Sequence, residues 1–183
     1  GITGQAGAYL ARLLLTKGYK VIGTARNGTN VDDWRLRYLG IAGDIEIAQA
    51  DLQEDVSISR LISEVGPDEF YNLAAQSSVS KSFQQPIMTS QITAESVTRI
   101  LESIRIAGIN TRFYQASSSE LFGDGVDTPR TEETPFRPRS PYAISKLYAH
   151  WMVINYREAY GQQACCGLLF NHESPLRGEQ FVT

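Results

Sequence analysis

The chain has 183 residues, long enough for one domain with a substantial core. Hydrophobic residues make up 42%, charged residues 20%, and the formal net charge is −3, so there is no bulk electrostatic case for nucleic acid or an anionic membrane, although a local basic site for a phosphate is compatible with these values. No apolar run approaches the ~20 residues of a membrane span, and the chain opens on glycines rather than on the basic segment and apolar core of a signal peptide.

In chain order, "AYLARLLLTKG" reads as a helix ending at Gly18 and "YKVIGTAR" as a strand. "DDWRLRYLG" is a short helical piece, "IEIAQAD" a strand, and "VSISRLISEVG" a helix ending near Gly66. "EFYNLAA" is a strand, and the stretch from Pro86 to Gly108 contains the helix "ITAESVTRILESIRIAG". "RFYQASS" is a strand, followed by a Pro-, Thr- and Glu-rich loop over roughly Asp124 to Ser140. "PYAISKLYAHWMVINYREAYG" is a helix with Pro at its start and Gly at its end. "ACCGLLF" is the last strand, and "NHESPLRGEQF" the loop after it. Cys165 and Cys166 are neighbours on that strand and point to opposite faces, so a bridge between them is strained; they read as small apolar residues in a reducing cytoplasm. His150 and His172 show no ligand spacing with them, and no metal is expected.

Strands alternating with crossover helices imply an α/β fold with a doubly wound parallel sheet covered on both faces. Ligands of such sheets bind beyond the carboxyl ends of the strands. That directs attention to Arg26, Asp51, Ala74 to Ser77, Ser117 to Glu120, and Asn171 onward. The sequence starts inside the glycine turn at Gly1, with no strand ahead of it, and stops at Thr183; the expectation is a fragment whose missing first strand belongs at the sheet centre.

Three segments carry chemistry. "GITGQAG" spaces Gly1, Gly4 and Gly7 at three-residue intervals into a helix, which lets backbone N–H groups and the helix N-terminus meet a pyrophosphate. Alone it is a weak signal that a plain glycine turn matches equally well; the βαβ rhythm after it strengthens the dinucleotide reading. Arg26 ends the next strand, where an acidic residue would bind the ribose hydroxyls of NAD, and an arginine there favours the 2′-phosphate of NADP. Asp51 ends the strand after that; it can accept from an adenine amino group or cap the following helix. "SPYAISKLYAHW" places Tyr142 and Lys146 on one helix face. A tyrosine is too weak an acid to be a base at neutral pH; a neighbouring ammonium favours phenolate, and three units of lowering correspond to roughly 4 kcal/mol. By itself the pair is an unremarkable amphipathic helix, but the glycine turn and the serine cluster at the preceding strand end give it a role.

The runs "GITGQAGAYLA", "YNLAAQSSV", "FYQASSSELFG", "TPFRPRSPYAISKLYAHW", "NYREAYG" and "LLFNHESPLRGEQFVT" together resemble the extended short-chain dehydrogenase/reductases, and within them the GDP-mannose 4,6-dehydratase branch, over nearly the whole chain. The resemblance implies a Rossmann-type fold, with residues 1–170 as an NADP-binding domain and 171–183 as the start of a substrate-binding region. It implies an internal redox dehydration of GDP-mannose. Hydride leaves the carbon bearing the 4-hydroxyl for NADP⁺, the 4-ketone acidifies position 5, water leaves from position 6, and the hydride returns there. The roles it implies are Tyr142 as base for the 4-hydroxyl with Lys146 beside it, Ser118 as hydroxyl donor to the 4-oxygen, and Glu120 as acid/base for the elimination. Cofactor contacts are implied for Gly1, Thr3, Gly4, Gln5, Ala6, Gly7, Arg26, Asp51, Leu52, Leu73, Ala74, Ala75, Gln76, Ser77, Tyr142, Lys146, His172 and Arg177. Substrate contacts are implied for Ser77, Ser118, Ser119, Glu120, Tyr142 and Asn171. A homodimer or homotetramer is implied as well.

The departures from that pattern are Ala6 in place of Asp, Ser118 in place of Thr, Asn27 in place of a second arginine, and Met88 where tyrosine is frequent. Serine keeps the hydroxyl but loses the methyl that restricts its rotamer. Two other readings stand beside the dehydratase: an epimerase or 4-reductase on the same fold, which needs Ser, Tyr and Lys but no elimination base, and a non-catalytic nucleotide-binding fragment.

Overall fold

The computed structural model describes residues 1–26, 33–124 and 129–178. They form two compact units, Gly1–Asp51 with Asn171–Thr183, and Leu52–Phe170.

In the first unit, α1 (Gln5–Thr16) leads to β1 (Ile22–Ala25), α2 (Trp34–Tyr38), a 3-10 turn (Ala42–Asp44) and β2 (Glu46–Gln49). Helix α1 buries Gly7, Ala8 and Ala11, the small residues of one stripe, so its backbone lies close to what it packs on. Strands β1 and β2 pair in parallel, Ile22 with Glu46 through Ala25 with Gln49. The core of this unit gathers Ala8, Ala11, Val21, Leu36, Ile41, Ile45 and Leu176.

The second unit runs α3 (Asp55–Val65), β3 (Glu69–Asn72), α4 (Val79–Gln84), α5 (Pro86–Ser90), a π turn (Gln91–Glu95), α6 (Ser96–Ala107), β4 (Arg112–Ala116), a 3-10 turn (Ser119–Phe122), α7 (Pro141–Tyr160) and β5 (Ala164–Gly167). Its three strands are parallel with β4 in the middle; Phe113 faces Phe70 on one side, their ring centroids 5.9 Å apart, and Ala164 on the other. Val97, Ile100, Leu101 and Ile104 recur at helical spacing on α6 and share a core with Ile58 and Ile62 of α3, Phe113, and Ala149, Val153 and Tyr156 of α7. Ser140 caps α7, its Oγ accepting from the Ala143 N–H at 3.0 Å, and Pro141 supplies the first helical residue.

The α/β class and parallel pairing agree with the sequence. The described strands form a pair and a triplet rather than one sheet. Other differences are local. Helix α4 is an addition. The helix expected from Ile92 is preceded by α5 and a π turn, whose Gln91 carbonyl accepts from Arg99 Nη1 at 3.5 Å. Asp51 does not cap α3, because that helix begins at Asp55 with Glu54 at the cap position. Asn27 lies outside the described residues. Among the described residues no helix is long and apolar enough to cross a membrane.

Candidate active site

Gly4 is the N-cap residue of α1, and no side chain caps the helix, nor does an acidic residue stand in its first turn. The N–H groups of Gln5, Ala6 and Gly7 are therefore left to an external acceptor. Gly7 is buried, and a Cβ there would run into the carbonyl oxygens of Gly1 and Ile2. The site thus holds backbone donors, a helix N-terminus and no competing anion, which fits a pyrophosphate. Two side chains with an expected cofactor role have partners inside the protein. Gln5 Nε2 donates to the His172 carbonyl at 3.0 Å, and Arg177 donates to the same carbonyl at 3.1 Å while pairing with Glu173 at 2.8 Å. Arg35, which nothing in the sequence singled out, donates to the Thr3 carbonyl at 3.2 Å and the Leu176 carbonyl at 2.7 Å. Arg26 is exposed just past β1, and the Ala50 N–H donates to the Ala25 carbonyl at 3.1 Å, so Arg26 and the half-buried Asp51 leave the same edge of this strand pair.

In the second unit the strand ends are pinned first. Asn72 Nδ2 donates to Gln115 Oε1 at 2.8 Å, and both residues are buried. The Asn72 side chain also accepts from the Ala74 N–H at 3.3 Å, which starts the loop Leu73–Ser77. Gln76 fixes that loop: its N–H donates to Thr93 Oγ1 at 3.2 Å, its side-chain nitrogen to Thr89 Oγ1 at 3.2 Å and the Ser78 carbonyl at 3.0 Å, and its side-chain oxygen accepts from the Ser78 N–H at 2.7 Å. Thr89 and Thr93 are fully buried on either side of the π turn's start. None of Asn72, Gln115, Thr89 or Thr93 was signalled by the sequence as part of the site, because buried amides and threonines read as ordinary core polarity.

Past β4, the Ser117 N–H donates to the Gly167 carbonyl at 2.9 Å and the Ser119 N–H to the Leu169 carbonyl at 2.8 Å. Ser118 between them is extended and caps the 3-10 turn, its Oγ accepting from the Glu120 N–H at 3.2 Å. Gly123 closes this turn at φ +64°, where a side chain would meet the Arg137 carbonyl. Tyr142 and Lys146 come from one face of α7 and are buried, whereas Glu120 is exposed. The structure brings Ser118, Glu120 and Tyr142 together. Burial pushes the Tyr142 phenol above its ordinary value, the charge of Glu120 adds to this, and a hydrogen bond with Ser118 works against it. Lys146 Nζ donates to the Ala116 carbonyl at 2.7 Å and stands 5.9 Å from the centre of the Tyr142 ring; burial lowers the ammonium to about 8. In this structure the tyrosine is desolvated, and the lysine is both desolvated and directed to a carbonyl.

Glu120 lines an open cleft of about 450 Å³ with Ser119, Phe83, Phe122, Phe170, Arg130 and Arg139. Behind it, His150 Nδ1 lies 3.3 Å from the buried Ser117 hydroxyl, its ring edge-on to Phe136 at 5.2 Å. Among the described residues no group of three His, Cys, Asp or Glu could hold a metal ion.

The family model described as GDP-mannose 4,6 dehydratase matches residues 1–183. The chain belongs to that family. As a GDP-mannose 4,6-dehydratase family member it is 49% identical over 190 aligned positions to the GDP-mannose 4,6-dehydratase of Vibrio cholerae, and 49% over 191 to that of Drosophila melanogaster. In both cases all of this chain is matched, against 51% and 48% of the relative. The chain thus spans about half the length of the curated relatives it matches. Among solved structures, the dTDP-glucose 4,6-dehydratase of Streptomyces venezuelae with NAD bound superposes with a TM-score of 0.84 at 22% identity, over 97% of this chain and 56% of that one. The UDP-glucose 4-epimerase of Brucella ovis with NAD gives 0.79 at 21%, over 91% and 49%. At these identities the likeness is one of fold. Within the dehydratase family pattern, Ala6 is a half-buried residue in the first turn of α1, and Ser118 is held by the Glu120 N–H and the Tyr142 phenol.

Proposed function

We propose that this chain carries the nucleotide-binding and redox part of an NADP-dependent GDP-mannose 4,6-dehydratase, a lyase that forms GDP-4-keto-6-deoxymannose. The observation that carries the proposal is Glu120, an exposed carboxylate on the turn capped by Ser118 and within electrostatic reach of Tyr142. An alcohol oxidation or an epimerisation uses the serine, tyrosine and lysine alone; a carboxylate within electrostatic reach of that tyrosine supplies what an elimination adds.

The glycine turn and the open N–H groups of α1 are assigned to the pyrophosphate, Arg26 to a 2′-phosphate, Asp51 to the adenine, and Leu52 and the loop Leu73–Ser77 to the rest of the dinucleotide. When bound, the oxidised nicotinamide supplies a hydride acceptor and a positive charge. Tyr142, as the phenolate that a neighbouring positive charge favours, takes the proton of the sugar 4-hydroxyl while Ser118 holds the 4-oxygen, and Lys146 orients a ribose. Glu120 then removes the proton at position 5, acidified by the 4-ketone, and protonates the departing 6-hydroxyl. Asn171 is assigned to the nucleotide-sugar, while His172 and Arg177 keep their cofactor role through the segment they order. Residues 1–170 serve as the cofactor domain and 171–183 as the start of the substrate region. An oligomer of two or four copies fits Ile144, Tyr148 and Trp151, exposed apolar residues at helical spacing on α7. The cytoplasm suits the two unbridged thiols, Cys165 and Cys166.

The test is Glu120→Gln in the full-length protein with GDP-mannose and NADP⁺. The expected outcome is NADPH absorbance without loss of water in the product by mass spectrometry. Dehydration at the normal rate would remove Glu120 from this role; GDP-mannose returned unchanged by the unmutated protein, with turnover of another nucleotide-sugar, would overturn the substrate.

A further inference from the structure

Residues 171–178 have no regular secondary structure, yet the segment is firmly held. Leu176 is fully buried in the core of the first unit, with Leu36 and Ile41 among its neighbours in that cluster. The His172 carbonyl accepts from Gln5 of the α1 first turn, and the Leu176 carbonyl accepts from Arg35 Nε at 2.7 Å. The same guanidinium gives Nη1 to the Thr3 carbonyl inside the glycine turn at 3.2 Å and lies 4.4 Å from the centre of the Trp34 ring. One rigid, planar fork of donors therefore joins the turn to the segment. Its two bonds share one geometry, so a shift of the Thr3 carbonyl is felt at Leu176.

We propose that Arg35 is a positioning residue that couples the glycine turn to residues 171–178, so that a dinucleotide on the turn and a nucleotide-sugar on the segment each tighten the other's binding. This rests on the assignment of turn and segment to cofactor and substrate made above. Ordering either carbonyl orders the guanidinium, and through it the second carbonyl, which leaves less freedom for the second ligand to remove. Arg35 itself touches neither ligand in this scheme.

The full-length protein is titrated calorimetrically with NADP⁺, with GDP, and with each in the presence of the other at saturation. In the unmutated protein GDP is expected to lower the Kd for NADP⁺ about tenfold, and NADP⁺ to lower the Kd for GDP by the same factor. Arg35→Met keeps the stem over Trp34 but loses both bonds, and is expected to bring that factor within about twofold of unity. Arg35→Lys keeps the charge without the fork and should fall between them. A purely structural role would weaken both ligands or lower the melting temperature while leaving the factor unchanged; that outcome, or absence of coupling in the unmutated protein, overturns the proposal. If Arg35→Met does not fold, the factor in Arg35→Lys decides. Failure of the unmutated protein to bind NADP⁺ or NAD⁺ at all overturns the assignment of the site and this coupling with it, whereas binding of both ligands without coupling overturns the coupling alone.

Discussion

At the glycine turn the chemistry is offered by main-chain N–H groups, and side chains are either absent, as at Gly7, or turned towards carbonyls, as at Gln5 and Arg35. At the end of β4 the arrangement is reversed: Ser118, Glu120, Tyr142 and Lys146 offer side chains, while the Glu120 N–H holds Ser118 and the Ala116 carbonyl holds Lys146. The first region fails when atoms are added, because there is no space for a Cβ. The second fails when atoms are removed, because the partners of the buried Ser118 and Lys146 side chains would lose their bonds.

The strongest test of that contrast is Tyr142→Phe. Turnover of GDP-mannose by the full-length protein should fall about a thousandfold, the usual worth of a positioned proton acceptor, with cofactor affinity changed less than about threefold. Initial rates and NADPH fluorescence titration check it; activity within tenfold of the original would remove Tyr142 as the base. Next comes Gly7→Ala, for which cofactor affinity should drop about a hundredfold through displacement of the Gly1–Gly4 backbone, whereas Gly43→Ala, where an added Cβ meets nothing within 4 Å, should leave it unchanged. Equal effects of the two would mean that close approach is not what the turn requires.

Lys146 gives a pH signature. Its folded value of about 8 lies below the ordinary 10.5, so between these values the unfolded chain binds the extra proton. Stability rises as pH climbs through that window, and the burial penalty stands in full below pH 8. Urea denaturation of the unmutated protein against Lys146→Met, from neutral pH to pH 10, should show the unmutated protein gaining relative to the variant by up to about 3 kcal/mol. A constant difference across pH would mean that the ammonium is not desolvated. The smallest effect belongs to the surface. The hydrogen bond from Arg105 holds Glu102 at about 2, well below its ordinary 4.5, so the stability it contributes is lost as pH falls from 4.5 towards 2. Glu102→Gln should flatten that part of an acid denaturation curve slightly, and less so in high salt.

What could be read from sequence followed the same contrast. The ends of α1, α3, α6 and α7 were legible because a glycine follows each within two residues and an apolar stripe precedes it. Tyr142 and Lys146 could be placed on one helix face from their spacing, whereas the roles expected of Ser118 and Glu120 came from the family resemblance, since a serine cluster and a glutamate at a strand end read as a solvated turn. Helix α4 was missed, since "VSKSFQ" is short, polar and β-branched at its start. The π turn has no sequence mark; Thr89 and Thr93, on either side of its start, accept from Gln76. Arg35 was invisible because both of its partners are carbonyls, which every residue carries. Spacing reports which side chains share a helix face, whereas burial of that face is what raises Tyr142 and lowers Lys146.

Ser118 lacks the methyl that would restrict a threonine, but its Oγ already accepts from the Glu120 N–H and bonds the Tyr142 phenol. The bond from the Glu120 N–H favours one of the three staggered positions while the chain folds, before any sugar arrives. The rotational freedom given up is that of one small side chain, and it is surrendered during folding rather than at binding. The restraint that a methyl would give is supplied in the folded chain by the peptide group two residues on.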